Sequence, residues 1–273
     1  MTFGARLVES MQRRGPLCAG IDPHPGLIRD WGLSPDAGGL EKFALTAVEG
    51  LAPHVPVVKP QSAFYERFGS AGIAVLERVI VEARAAGALV LLDVKRGDIG
   101  STSQAYADAY LDPSSPLACD AITATPYLGF GSLDPMIESA LAHGAGLFVL
   151  ALTSNPEGAS VQRARTAEGG TVAGSVLAQL RTLNAGVTPL GSLGAVVGAT
   201  VGETGEDLAI NGPLLAPGIG AQGGTPETVR RVFGEQARHV LPSSSRELLA
   251  AGPSVTALAA AARRTTEAYA ELR

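Results

Sequence analysis

Eight short apolar runs, separated by stretches long enough to carry the chain back on itself, constrain this sequence more than any other feature. They fall at residues 17–21, 55–59, 88–93, 118–123, 146–152, 193–197, 214–216 and 237–241. Between them lie amphipathic segments over 40–51, 72–86, 101–110, 133–143, 172–183 and 226–233, with one more over 254–271. Such alternation predicts parallel strands, because parallel neighbours need a helix-length return and strands buried on both faces read as unbroken apolar runs. Eight is the count at which such a sheet closes. The expected fold class is α/β, a (β/α)8 TIM barrel forming one domain over 1–273, with the 254–271 helix covering its outside. A doubly wound open sheet competes, but no Gly-x-Gly-x-x-Gly follows the first run, where a dinucleotide fold would carry it.

Composition narrows the partners. A net charge of -5 gives no electrostatic reason to expect nucleic acid, so a small molecule is the expected ligand. The longest apolar stretch, 144–152, is far below the ~18 residues of a membrane span, and the first nine residues mix charges in a way no signal peptide does. A cytoplasmic protein without membrane contact is expected. Cys18 and Cys119 lie in apolar runs without close pairing, which predicts two buried thiols and neither a disulfide nor a zinc site. His24, His54, His143 and His239 share no metal-ligand spacing and read as structural or exposed, so no metal is expected. Phe64, Tyr65 and Phe68 read as packing residues.

Charge concentrates after the third run, in Asp93-Val94-Lys95-Arg96-Gly97-Asp98. Side chains on a strand alternate faces, so Asp93 and Lys95 are expected to point the same way, with Gly97 turning the chain before Asp98. The chain has 21 basic residues but only three lysines, Lys42, Lys59 and Lys95. Arginine serves wherever a generic cation suffices; a compact ammonium with a transferable proton is what it cannot supply. Lys59 closes the second run much as Lys95 follows the third, so two strands each deliver an ammonium at the same end of the sheet. A salt-bridged strand end without chemistry is the plainer alternative.

Two glycine-rich segments stand out. The polar stretch 153–170 reads as a long loop after the fifth run. Residues 217–224, Pro-Gly-Ile-Gly-Ala-Gln-Gly-Gly, follow the seventh run and lead into Thr225-Pro226-Glu227, a helix start of cap, N1 proline and acidic first turn. A helix amino terminus beside close-approaching backbone offers N–H groups to an anion. Ser243-Ser244-Ser245-Arg246 follows the eighth run, and barrels commonly bind phosphate with the loops after strands seven and eight.

Over nearly the whole chain the sequence resembles the orotidine 5'-phosphate decarboxylases, in particular their longer bacterial branch. The likeness is carried by the Asp-x-Lys-x-x-Asp signature at Asp93, Lys95 and Asp98. Supporting it are Gly20-Ile21-Asp22-Pro23-His24-Pro25, Lys59 in Val57-Val58-Lys59-Pro60, and the 217–224 loop with a later arginine. The resemblance implies a charge tetrad of Lys59, Asp93, Lys95 and Asp98, a homodimer in which Asp98 enters the neighbouring site, and no cofactor. It also implies that Asp22 and Thr102 contact the ribose, Ser132 the pyrimidine, and Gln222 and Arg246 the phosphate. Arg246 is aligned by order and position, because Ser243-Ser244-Ser245-Arg246-Glu247 replaces the usual Gly-Arg pair.

The implied chemistry is loss of CO₂ from a pyrimidine, which leaves a carbanion that fixed charges must stabilise. An ammonium aimed at the developing negative carbon favours the transition state over the ground state, and Lys95 would also donate the proton. A class I aldolase needs a free amine where Lys95 sits between carboxylates that favour the ammonium. A magnesium-dependent sugar-phosphate enzyme of the same superfamily and a phosphate-binding barrel without turnover are the other readings.

Overall fold

A computed structural model, which describes residues 1–272, folds the eight runs into eight strands closed in chain order as a parallel barrel. They are β1 Cys18–Ile21, β2 Val57–Pro60, β3 Leu89–Arg96, β4 Ala121–Ala124, β5 Gly146–Leu152, β6 Leu193–Val197, β7 Leu214–Pro217 and β8 Val240–Ser244. Closure pairs β1 with β8, Cys18 beside Ser243 and Ala19 beside Ser244. The (β/α)8 architecture is as expected, and the open-sheet alternative is excluded by this pairing.

Several strand ends differ from the apolar runs, always toward the carboxyl end. The eighth strand, expected at 237–241, runs instead over Val240–Ser244 behind a 3-10 turn, Gly234–His239. Ser243 and Ser244 count as strand because their backbones pair with β1, and they are buried although polar. Apolar content ends where side chains begin to face the site; the hydrogen-bond ladder continues past that point. β3 likewise extends to Arg96, with an irregular register between Leu92 and Arg96.

The barrel interior takes one buried apolar side chain from each strand, Cys18, Val57, Leu91, Ala121, Phe148, Val196, Leu215 and Leu241, with Leu89 and Leu150 packed against them. Phe3, Leu7 and Met11 of the helix Phe3–Arg14 pack into the same cluster and close the amino-terminal mouth. Phe3 meets Phe148 edge to face at 6.0 Å. Gly4 is required there, since a Cβ would run into the carbonyls of Leu190 and Gly191. Asp120 reinforces this end by accepting from Arg6 at 2.5 Å, Arg84 at 3.1 Å and the Val90 N–H at 2.9 Å.

Helices Ala37–Leu51, Gly69–Ala85, Gly100–Leu111, Asp134–Ala142, Val172–Leu183 and Pro226–Phe233 surround the barrel, and the C-terminal helix Val255–Ala268 covers it outside, as expected. β6 and β7 are joined by 198–213 without a helix. The 153–170 loop is more ordered than its composition predicts: it holds a 3-10 turn, Pro156–Gly158, and a helical turn, Ala159–Gln162. Gln162 closes it by accepting the Thr153 N–H and donating to the Thr153 hydroxyl. Among the described residues no helix is long and apolar enough to cross a membrane. Both cysteines are free and buried.

Candidate active site

The carboxyl ends of the strands gather most of the sequence's candidates. Lys59, on β2, is 6% exposed, and burying a charged ammonium so far is costly without a counter-charge. Asp93 supplies it: Lys59 Nζ lies 3.0 Å from Asp93 Oδ2. The other carboxylate oxygen, Oδ1, meets Lys95 Nζ at 2.6 Å and accepts the Thr123 hydroxyl at 2.7 Å. One buried carboxylate thus bridges two ammonium groups. Burial alone would lift the Asp93 carboxyl, but Lys59 and Lys95 hold it well below the usual carboxylate range. Burial alone would lower the Lys59 ammonium, and the Asp93 and Asp22 charges outweigh it and hold Lys59 above its ordinary value.

Asp93 and Lys95 converge as the sequence predicts, but not by strand alternation. The chain bulges after Leu92, and Lys95 adopts φ +45°, a left-handed conformation that costs a residue with a Cβ about 1 kcal/mol. Its N–H donates to Thr123 Oγ1 at 2.9 Å, so one threonine holds both the Lys95 backbone and the Asp93 carboxylate. The Lys95 side chain is 47% exposed, against 7% for Lys59, and also reaches Gln61 Oε1 at 3.4 Å. Lys59 is therefore fixed in the wall while Lys95 stands at the mouth. Gly97 lies where the chain leaves β3 before Asp98, and a Cβ there would strike the Thr125 carbonyl.

Lys59 also lines a cavity of about 100 Å³ with Asp22, Gln222, Ser245 and Arg246. Asp22 Oδ1 and Ser245 Oγ are buried there without a hydrogen-bond partner among the described residues. A carboxylate oxygen and a hydroxyl left in this state are sites a polar ligand would satisfy. The Arg246 guanidinium is exposed and forms no ion pair among the described residues, and it opens a short helix, Arg246–Leu249. Gly218, at φ +99°, and the loop behind it bring Gln222 to the same cavity.

The remaining candidates lie apart. Asp98 makes no ion pair with either lysine of its own chain; its carboxylate accepts the Ile99 N–H at 2.8 Å. Thr102 is exposed one turn later and does not line the cavity. The Ser132 hydroxyl donates to the Gly129 carbonyl at 2.7 Å, so a pyrimidine contact would require that bond to be exchanged. Ser154, exposed just past β5, offers another hydroxyl on the same rim. Sequence reasoning passed over Thr123, Gln61 and His24, whereas Ser245 lies in the Ser243–Arg246 segment expected at the phosphate end. Thr123 could have been found as a polar residue ending a buried barrel strand. His24, set aside with the other histidines, lines the cavity and meets the Phe64 ring at a 59° tilt, centroids 4.2 Å apart.

Residues 15–261 match the family model described as the orotidine 5'-phosphate decarboxylase / HUMPS family. A protein of a Nocardioides species named orotidine 5'-phosphate decarboxylase is 72% identical over 250 residues, 90% of this chain and 91% of that one. A protein of the same name from Salinispora arenicola is 66% identical over 264 residues, 96% of this chain and 95% of the other. Among solved structures, a crystal structure from Streptomyces avermitilis superposes with a TM-score of 0.97 at 60% identity, covering 99% of this chain and 95% of that one. The orotidine 5'-phosphate decarboxylase structure of Leishmania donovani gives 0.78 at 29% identity, covering 100% and 99%.

Proposed function

Because the chain belongs to the orotidine 5'-phosphate decarboxylase / HUMPS family, we propose that it acts as a carboxy-lyase converting orotidine 5'-phosphate to uridine 5'-phosphate and CO₂ without a cofactor. The carrying observation is the bridged array Lys59, Asp93, Lys95, in which a buried ion pair holds a half-exposed ammonium at 2.6 Å from the shared carboxylate. Breaking the bond between C6 and its carboxylate releases CO₂ and leaves the electron pair on C6. The Lys95 ammonium stabilises that charge as it develops and then transfers one N–H proton to C6, becoming the amine. Asp93 orients Lys95, and Thr123 fixes both, so little reorganisation is needed when the charge appears.

Asp22 is the proposed ribose contact, its partnerless Oδ1 accepting a hydroxyl. Gln222 and Arg246 are the proposed phosphate contacts, the guanidinium as the charge-assisted partner. Ser132 is the proposed pyrimidine contact. Asp98 is proposed to complete the tetrad in the neighbouring subunit of a homodimer, with Thr102 as a ribose contact. This is supported by Asp98 lacking a cation partner among the described residues and by the exposed apolar residues Ile99, Tyr127 and Leu128 on the rim where β3 and β4 end. The proposed setting is the cytoplasm, in keeping with two unpaired thiols.

The test adds orotidine 5'-phosphate to purified, chelator-treated protein and follows pyrimidine absorbance and released CO₂. Stoichiometric CO₂ and uridine 5'-phosphate are expected. Binding without CO₂ would leave a phosphate-binding barrel, and activity lost to the chelator would point to the magnesium-dependent relatives.

A further inference from the structure

The loop that carries Gln222 is zipped to itself. The Gly218 carbonyl accepts the Gly224 N–H at 3.0 Å, and the Gly224 carbonyl accepts the Gly220 N–H at 2.9 Å. Gly218, Gly220 and Gly223 all have positive φ, so nothing in their own side chains or backbone preferences stiffens the loop. A second donor reaches Gly224: the Tyr269 hydroxyl, 3.0 Å from the same carbonyl oxygen. Tyr269 ends the C-terminal helix Val255–Ala268 and is 4% exposed.

Behind this contact lies a cavity of about 310 Å³, bordered by Gly220, Gly224, Glu247, Arg264 and Tyr269. Ile219 in the core and Glu247 against Gly220 pack this side of the loop, and the Tyr269 hydroxyl adds a directional hold on the Gly224 carbonyl from outside it. Burial, with the Glu247 and Glu227 charges, pushes the phenol up to about 12, so it remains an O–H donor through the physiological range.

We infer that Tyr269 is a positioning residue for the anion-binding loop: its hydroxyl anchors the Gly224 carbonyl and so sets where Gln222 meets a ligand phosphate. The identity of that ligand rests on the decarboxylase reading; the positioning role does not. Tyr269→Phe is a clean perturbation, because Gly224 keeps its bond from Gly220 and the ring keeps its packing.

The experiment measures affinity for uridine 5'-phosphate and for uridine by calorimetry, alongside decarboxylation kinetics and thermal unfolding. Losing one neutral hydrogen bond should weaken uridine 5'-phosphate binding and raise KM by about fivefold, with uridine affinity and kcat unchanged. In an Arg246→Ala background the same change should add less than about twofold, since both act through the phosphate. Equal losses on uridine and uridine 5'-phosphate, or no loss on either with the fold intact, would overturn the inference. A wild-type protein that fails to decarboxylate while the phosphate-selective loss persists would sink the decarboxylase reading alone. Full decarboxylation without that selective loss would sink the positioning role alone.

Discussion

Asp93→Asn should destabilise the fold far more than removal of the half-exposed Lys95 side chain would. In the variant the Lys59 ammonium, 7% exposed, loses the carboxylate that stood 3.0 Å away. Leaving one partner of a buried pair uncompensated costs about 3–5 kcal/mol. Lys95 adds little, because a side chain 47% exposed regains water, and exposed pairs contribute about 1 kcal/mol or less. Lys95→Ala therefore serves as the control, with a small loss. The pH dependence has a definite sign. Asp93 is depressed in the fold, so its contribution is present above its unfolded value of about 3.9 and fades as pH falls through the lower folded value. Lys59 is raised, so its contribution is present below about 10.4 and fades above it. The gap between wild type and Asp93→Asn should be widest between roughly pH 5 and 9 and narrow on both sides. Urea unfolding at pH 3, 5, 7, 9 and 10.5, with the denaturant slope unchanged, measures it. A loss below about 1 kcal/mol at pH 7, with no pH dependence, would refute the buried pair as an energetic unit.

Turnover should vanish in Lys95→Ala while uridine 5'-phosphate still binds, and Lys95→Arg should fail as well because a guanidinium is a poor acid; near-normal turnover in either would exclude Lys95 as proton donor. Mixing inactive Lys95→Ala and Asp98→Ala chains should restore activity, since one site of the mixed dimer receives both intact residues. No recovery after verified subunit exchange would return Asp98 to its own chain. Arg246→Ala should lower kcat/KM for the phosphorylated substrate by about 2–3 kcal/mol and leave a phosphate-free substrate nearly unaffected, and equal damage to both would make the residue structural.

The barrel was legible in the sequence because parallel strands are buried on both faces, so β1 to β8 each register as an apolar run. Their ends were not. Ser243 and Ser244 look like loop residues until β1 supplies their backbone partners. The charged residues were equally plain, since Lys59 and Lys95 are two of only three lysines. What period-two alternation could not give is the path between them: a bulge and a left-handed Lys95 held by Thr123, a residue whose meaning depends on the neighbouring strand. The helix Phe3–Arg14 escaped for a similar reason, because its apolar face acquires a purpose only once a barrel mouth exists for it to close.

The closure of β1 against β8 joins the two extremes of the chain, and the residues just past it, Ser245 and Arg246, belong to the cavity that also holds Asp22 and Lys59. A ribosome must therefore release the chain through Arg246 before the proposed nucleotide site can form. Contacts so distant in sequence form late and slowly. Until then the first strand exposes an unpaired edge, and a ligand cannot rescue the nascent chain. After closure it can, since binding only the finished barrel pulls the equilibrium toward it. Free ligand would then raise the folded fraction of the finished barrel without touching the steps that precede closure.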